Sequence, residues 1–229
     1  MGDYVFRTVP SDLLQGDFAA KRVSSDGLKK AATFYTNEPY GKGLSAAFEE
    51  SFKKLGGEVV SSESVERGST DLRTQVTKIK SANPEVVFIA MNSPDSAVKA
   101  LQQLKELGVN AKLYGSEGLA DQSLIDKAGS SAEGLVVNSV TPGNDDFAAK
   151  FKAEYKEDPG AFAAQAYDAY KAVALAVEQG AKTGAQIKEK LNKLEFEGAT
   201  GKIKFDEKGD VPGNYVVYVV TGGKLVLQG

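Results

Sequence analysis

The chain has 229 residues, with 28 Lys and Arg against 31 Asp and Glu and a formal net charge of −3. This balance gives no basic footprint for nucleic acid or an anionic membrane, so the expected partners are neutral or zwitterionic. The sequence contains no Cys and no His, which removes disulfides, thiolate metal ligands and the commonest general base. We therefore expect a globular protein without a metal, a cofactor or most kinds of enzymatic chemistry.

The predicted elements alternate short β-rich runs with longer stretches of helical periodicity from about residue 31 onwards. This alternation is typical of βαβ units around a parallel sheet and predicts an α/β fold with a flavodoxin-like sheet. The run at 86–90 has no polar alternation, which predicts a central strand buried on both faces. The predicted strands are residues 31–35, 58–64, 86–90, 112–116 and 134–138. The predicted helices between them are residues 44–55, 72–79, 94–107 and 122–128.

Local signals predict where two of these helices begin. Thr70 is the predicted N-cap of the helix at 72–79, because a hydroxyl at the cap accepts a bond from a free backbone N–H. Ser93 followed by Pro94 predicts the start of the next helix, since serine favours the cap and proline the first turn.

The alternation of strands and helices stops beyond residue 141. A hairpin is predicted near the end of the chain, because two β-rich runs flank Gly222 and Gly223. The elements predicted in this part are helices at 147–155, 161–179 and 184–193, a strand at 203–205 and hairpin strands at 215–220 and 225–227.

Candidate binding residues follow three of the predicted strands, where ligands of an open parallel sheet bind. Tyr40 can pack against an aliphatic ligand and donate from its hydroxyl, or it can simply cover the sheet edge. Asn92 and Ser93 offer an amide and a hydroxyl, although the Ser93 side chain also fits a plain helix cap. Glu117 is a good partner for an ammonium group, or else a solvated loop carboxylate.

Other site classes find little support in the sequence. Gly41 and Gly43 lack the third glycine of a dinucleotide loop, and no Gly-Lys-Ser/Thr follows. Paired-carboxylate hydrolysis needs a second acid beside Glu117; Asp121 and Glu133 are candidates, but their spacing does not indicate convergence. We predict that the protein is not an enzyme.

Several segments resemble the solute-binding proteins of branched-chain amino-acid and related ABC importers. They are residues 4–12 with Gln15 and Gly16, 35–43, 114–118, 162–169 and 201–210. The resemblance implies a type I periplasmic binding fold, in which two lobes joined by three crossings close on a ligand. The implied domains are an interlobe crossing strand at 1–12, the second lobe at 13–141, helices and a strand completing the first lobe at 142–210, and a return segment with the C-terminal hairpin at 211–229.

The same resemblance implies a function. The protein is expected to bind a branched-chain or other hydrophobic amino acid and to deliver it to an ABC permease, in the periplasm or another extracytoplasmic space. Met1-Gly2-Asp3 does not show a signal peptide, so this location rests on the family alone. Tyr40 is implied to line the cleft, Glu117 to receive the α-ammonium group, and Asn92 or Ser93 to hold a contacting position.

Family members carry roughly another lobe's worth of βα units before the segment that resembles Tyr4. The resemblance therefore implies a chain lacking most of the N-terminal lobe, weak in binding, and prone to self-association or a domain-swapped dimer through the helix at 161–179. Two alternatives remain: an amide or aromatic-acid binding protein of the same fold, and a flavodoxin-like stand-alone domain. The latter needs a phosphate loop that residues 36–43 do not show.

Overall fold

The computed structural model describes residues 4–228, which form two compact units. The larger unit consists of residues 12–139 and 215–228, and the smaller of residues 4–11 and 140–214. The strands are β1 Lys30–Thr36, β2 Glu58–Val65, β3 Val86–Ala90, β4 Lys112–Gly115, β5 Val136–Val140, β6 Glu195–Gly198, β7 Gly201–Lys204, β8 Tyr215–Thr221 and β9 Lys224–Gln228. The helices are α1 Asp12–Ser25, α2 Pro39–Lys54, α3 Arg73–Ala82, α4 Pro94–Glu106, α5 Gln122–Ala128, α6 Asp145–Tyr155, α7 Ala163–Glu178 and α8 Gly184–Leu191.

A seven-stranded sheet forms the centre of the larger unit, in the order β2-β1-β3-β4-β5-β8-β9. The strands β1 to β5 pair in parallel, and β8 pairs with β9 as an antiparallel hairpin. The hairpin joins the sheet beside β5, where the Gly134 N–H donates to the Val220 carbonyl. All five residues of β3 are buried, as the uninterrupted apolar run predicts for a central strand. The predicted parallel α/β sheet is confirmed.

Helices cover both faces of this sheet, because alternate strand residues point to opposite sides. On one face α1 and α2 pack around Phe48 and Phe88, whose stacked rings lie 4.4 Å apart. On the other face α3, α4 and α5 bury leucine, isoleucine and valine side chains against residues such as Phe34 and Ile89. None of the described helices is long and apolar enough to cross a membrane.

The predicted N-cap at Thr70 is wrong, since α3 begins at Arg73 with Leu72 in the cap position. α3 has no side-chain cap; the loop before it is held instead by Gln103 of α4, which is buried. Its Oε1 accepts from the Leu72 N–H at 2.8 Å, and its Nε2 donates to the Thr70 carbonyl at 2.7 Å. A side chain distant in sequence therefore fixes this loop.

Residues 4–11, part of the predicted crossing strand, are irregular rather than a strand, and residues 1–3 of that prediction lie outside the described chain. The segment is held by a backbone bond from the Arg7 N–H to Gly209 and by the Arg7–Asp210 ion pair at 2.7 Å, not by a β-ladder. The smaller unit also extends to Asn214, four residues beyond the predicted boundary, because Val211 is buried in its core.

The smaller unit combines α6, α7 and α8 with the two-stranded sheet of β6 and β7. Asp168 of α7 is fully buried, and its carboxylate accepts from the Ala199 N–H at 2.6 Å and the Thr200 N–H at 2.9 Å. This bonding fixes the β6–β7 turn; β6 was not predicted from the sequence. A cavity of about 380 Å³ lies in this unit beside α6 and α7, and none of the predicted site residues lines it.

The contact between α1 and α2 is close because Gly16 has no side chain. A Cβ on Gly16 would lie 2.6 Å from the Ala47 Cβ and 2.7 Å from the Phe48 nitrogen. Only glycine therefore lets α1 reach this depth on α2.

Replacing Gly16 with alanine is expected to lower the free energy of unfolding by roughly 1–3 kcal/mol, because the added methyl group overpacks the helix contact. Urea unfolding followed by circular dichroism measures this change. Gly43→Ala is the matched control: Gly43 also lies in a helix, but its Cβ would meet nothing closer than Asp12 at 4.0 Å. That variant should gain about 0.5–1 kcal/mol from helix propensity. Equal effects of the two substitutions would contradict the packing argument.

Candidate ligand-binding site

Three polar side chains of the larger unit share one local pattern: each directly precedes a glycine whose Cα is packed against backbone or a neighbouring helix. A Cβ at any of these glycines would lie well inside van der Waals contact. The three polar residues are Gln15, Tyr40 and Glu117. Gly16, which follows Gln15, packs against Ala47. Gly41 packs against the Thr36 carbonyl, and Gly118 packs against the Met91 carbonyl. Close backbone approach thus fixes the position of each polar side chain.

Glu117 begins a short 3₁₀ turn, and Ser116 separates this turn from the end of β4. The Gln15 Nε2 donates to its Oε2, and this bond joins α1 to the end of the central sheet. Burial raises the pKa of Glu117 above its usual value, while hydrogen bonds from Tyr40, Gln15 and the backbone oppose the rise, and the charge of Asp12 adds to it. The carboxylate is therefore held mainly by neutral donors, which leaves its charge available for a cation.

Tyr40 lies at the start of α2 with a buried hydroxyl. Burial, and then the nearby charge of Glu117, raise its pKa far above the usual range for a tyrosine, so the hydroxyl remains a proton donor. Ser116 and Glu117 both lie close to the Tyr40 hydroxyl; Ser116 lowers its pKa and Glu117 raises it. Even so, the Tyr40 and Ser116 hydroxyls have no hydrogen bond of regular geometry among the described residues.

Asn138 of β5 adds a further buried polar group. It is fully buried, and neither its amide nitrogen nor its amide oxygen has a hydrogen-bond partner within residues 4–228. The β4–β5 register aligns Gly115 with Val137, so the next pair across the two strands is Ser116 and Asn138. Unpaired buried polar groups are costly and rare, and the groups near Glu117 make this end of the sheet a candidate functional site.

The segment containing Asn92 and Ser93 lies next to the turn of Glu117, since a Cβ on Gly118 would lie 3.1 Å from the Asn92 Cα. The Asn92 side chain is exposed. Ser93 is buried at the cap position of α4, but its side chain makes no capping bond. The interpretation of Ser93 as a plain side-chain cap is therefore wrong, and a ligand role for either residue stays a prediction.

The two acids considered as partners for Glu117 have other roles. Asp121 caps α5 by accepting from the Ser123 and Leu124 N–H groups. Glu133 accepts from the backbone N–H groups of Gly222 and Gly223 in the hairpin turn. Within the described part of the chain no group of three or more acidic side chains can hold a metal ion.

Sequence reasoning did not single out Gln15 as a site residue. The available signal was the repeated placement of a polar side chain directly before a glycine, which Gln15-Gly16 shares with Tyr40-Gly41 and Glu117-Gly118. This pattern indicates a fixed polar side chain only where the structure shows that the glycine is closely packed.

Comparison of the chain with known proteins identifies a single family. A family model described as periplasmic binding protein matches residues 1–224. The chain is 28% identical over 222 residues to the leucine-, isoleucine-, valine-, threonine- and alanine-binding protein of Pseudomonas aeruginosa, covering 93% of this chain and 59% of that protein. It is 30% identical over 215 residues to the Leu/Ile/Val-binding protein of Citrobacter freundii, covering 91% of this chain and 58% of that protein.

Solved structures give the same result. A leucine-binding protein from Thermotoga maritima matches with a TM-score of 0.86 and 28% identity, covering 95% of this chain and 65% of that one. A branched-chain amino-acid transporter substrate-binding protein from Streptococcus pneumoniae, in complex with isoleucine, matches with a TM-score of 0.83 and 28% identity, covering 99% and 68%.

These matches define a type I periplasmic binding protein fold. The chain belongs to the periplasmic binding protein family, whose relatives include binding proteins for branched-chain amino acids, and the resemblance found in the sequence is confirmed. The chain spans about three fifths of the length of these curated relatives, 59% and 58%.

Replacing Asn138 with leucine is expected to raise the free energy of unfolding by about 1 kcal/mol or more, because an unpaired buried amide is exchanged for an apolar side chain of similar shape. Urea denaturation measures the change. Asn144→Leu is the comparison variant: the Asn144 side chain caps α6 by accepting from the Phe147 N–H at 2.9 Å, so its loss should cost about 1 kcal/mol. A destabilised Asn138→Leu protein would show that the amide has a partner in solution.

Proposed function

We propose that this protein binds a branched-chain or other hydrophobic amino acid and that Glu117 receives the α-ammonium group of the ligand. The observation that carries the proposal is the buried carboxylate of Glu117, which accepts a hydrogen bond from Gln15 and lies close to the Tyr40 hydroxyl. A cation that enters this site gains a charge-assisted hydrogen bond in a place with little competing water.

The neighbouring groups suit the rest of an amino acid. The Tyr40 ring offers an apolar surface beside the carboxylate, and its protonated hydroxyl can donate to a ligand oxygen. Asn92 and Ser93 are proposed to contact the ligand from the adjoining segment, which lies against Gly118. The curated relatives bind leucine, isoleucine and valine by name, which supports the same ligand class.

We propose binding without catalysis, in the periplasm or another extracytoplasmic space, with an ABC permease as the receiving partner. Support comes from the family, whose members are substrate-binding proteins of such transporters. The implied lobe assignment is also a proposal: the larger unit corresponds to the second lobe, and the smaller unit to part of the first.

The alternative is an amide or aromatic-acid binding protein of the same fold. The unpaired hydroxyls of Tyr40 and Ser116 favour it, since both can bond to a neutral polar group. Glu117 separates the two proposals, because only a ligand with an ammonium group needs its charge.

Binding by the 229-residue chain is proposed to be weak. The site residues of the larger unit address the ammonium end of the ligand, whereas tight binding requires that the carboxylate end also be paired and desolvated. Leucine binding with a micromolar or lower Kd, measured by calorimetry, would contradict this proposal.

Glu117→Gln is expected to reduce leucine affinity by about tenfold or more, because it removes the charge that pairs with the ammonium group. Ligand-detected NMR at millimolar leucine measures this loss. Glu50→Gln is the matched control, since Glu50 lies on the exposed face of α2 and pairs with Lys54 at 2.6 Å. Unchanged leucine binding in Glu117→Gln, with a neutral amide bound equally well, would favour the alternative function.

Leucine binding should weaken as the pH falls through the pKa of Glu117. Burial raises this pKa, so protonation removes the charge at a higher pH than for an ordinary glutamate, and affinity is retained above that range. An affinity profile between pH 4 and 8 tests the direction. A Glu117→Gln protein should lack this dependence.

We also propose that the protein self-associates through α7. The exposed fractions of Tyr170, Val173 and Val177 are 75%, 43% and 51%, and their spacing places them on one face of the helix. A second copy of the chain is the proposed occupant, because the stripe is apolar and can pair with itself across a two-fold axis.

Tyr170→Lys combined with Val177→Lys is expected to shift the protein to the monomer in sedimentation velocity runs over a range of concentrations, since charges at the centre of an apolar contact oppose association. Leu13→Lys is the control, because Leu13 is 70% exposed on α1, outside the stripe. A dimer that survives the double substitution contradicts the proposal and favours a domain-swapped arrangement.

A further inference from the structure

Gln15 is buried, with 4% of its surface exposed, although glutamine is usually a surface residue. Its position near the start of α1 directs the carboxamide towards β4, where the Nε2 donates to the Glu117 Oε2. The two residues are 102 positions apart in the sequence, so the tertiary fold alone brings them together.

The backbone around Gln15 is closely packed. Gly16 packs directly on Ala47 and Phe48 of α2, so α1 cannot shift without breaking this contact. Gly118 packs in the same way on the Met91 carbonyl, on the other side of the bond. The donor Gln15 and the acceptor Glu117 are therefore each adjacent to a closely packed glycine. Close packing of the supporting backbone restricts the orientation of a functional side chain.

We propose that Gln15 is a positioning residue of the binding site, which fixes one oxygen of the Glu117 carboxylate so that the other faces the ligand's ammonium group. The inference rests on the proposed function and deepens it by adding a residue that does not itself need to touch the ligand. A carboxylate held from one side loses less rotational freedom when it binds a cation, so affinity increases.

The charge state of Glu117 provides a readout that does not require ligand. Its carboxylate is influenced by Tyr40 of α2, by Asp12 and Gln15 of α1, and by its own backbone. The Gln15 bond stabilises the charged form and lowers the pKa of Glu117 against the effect of burial. Loss of this donor should therefore raise the pKa.

The test compares Gln15→Met with wild type in the full 229-residue chain. Methionine has a similar length but no N–H donor. The titration midpoint of the Glu117 side chain, followed by NMR with ¹³C-labelled glutamate, should move to higher pH in the variant. Leucine affinity at pH 7 should fall by roughly tenfold, the effect of a lost hydrogen bond to a charged group.

Gln103→Met is the matched control, because Gln103 is also 4% exposed and bonded through its carboxamide, but it holds the Thr70–Leu72 loop. It should destabilise the fold without moving the Glu117 midpoint. Gln15→Glu is a second variant that retains the size of the side chain; like-charge repulsion should raise the midpoint further.

An unchanged Glu117 midpoint in both Gln15 variants would overturn the inference. A raised midpoint together with absent leucine binding in the wild type would support the coupling between Gln15 and Glu117 and reject amino-acid binding as the function. The inference and the proposed function are both supported if the Gln15 variants show a raised Glu117 midpoint and weakened leucine binding and Gln103→Met shows neither effect.

Discussion

Burial of a carboxylate at the carboxyl end of β4 is the constraint on which the described site depends. A buried charge is costly unless it is hydrogen-bonded or paired. The Glu117 carboxylate accepts from the Gln15 amide of α1, and the Tyr40 hydroxyl of α2 lies close to it. The close packing at Gly16 and Gly118 lets α1 and the β3–α4 connection approach without intervening side chains, and the packing at Gly41 holds the start of α2 against the Thr36 carbonyl.

The surroundings of Glu117 also carry a cost in stability. The hydroxyls of Tyr40 and Ser116 and the amide of Asn138 are buried without regular partners among the described residues, whereas the rest of the sheet packs apolar side chains on both faces. Local breaches of packing rules are expected where a protein performs its function. In this chain Tyr40, Ser116 and Asn138 lie near the strand ends that the topology of a parallel sheet assigns to ligands, whereas the side-chain oxygens of Ser45 and Gln165, also unpaired in the described chain, lie in α2 and α7.

Most of the larger unit was predictable from the sequence, because its signals are local. The apolar run of β3, the proline at the start of α4 and the short helix α5 each follow from nearby residues. The sequence-based predictions failed where the local structure depends on residues that are distant in the sequence. Gln103 holds the loop before α3 from another helix, and Asp168 secures the turn that follows β6. Tyr40 and Glu117 could be proposed from strand ends and family resemblance, but the bond from Gln15 to Glu117 could not, since it joins residues 102 positions apart.

The larger unit is built from two separated parts of the chain, residues 12–139 and 215–228. During synthesis, β5 therefore emerges as an edge strand with unpaired backbone groups, and β8 becomes available only after the 74 residues from 141 to 214 have been made. Exposed edges of this kind recruit other chains, and late long-range pairing slows folding. β8, residues 215–221, covers this edge of β5 when it pairs there, so the edge stays exposed until that long-range pairing has formed.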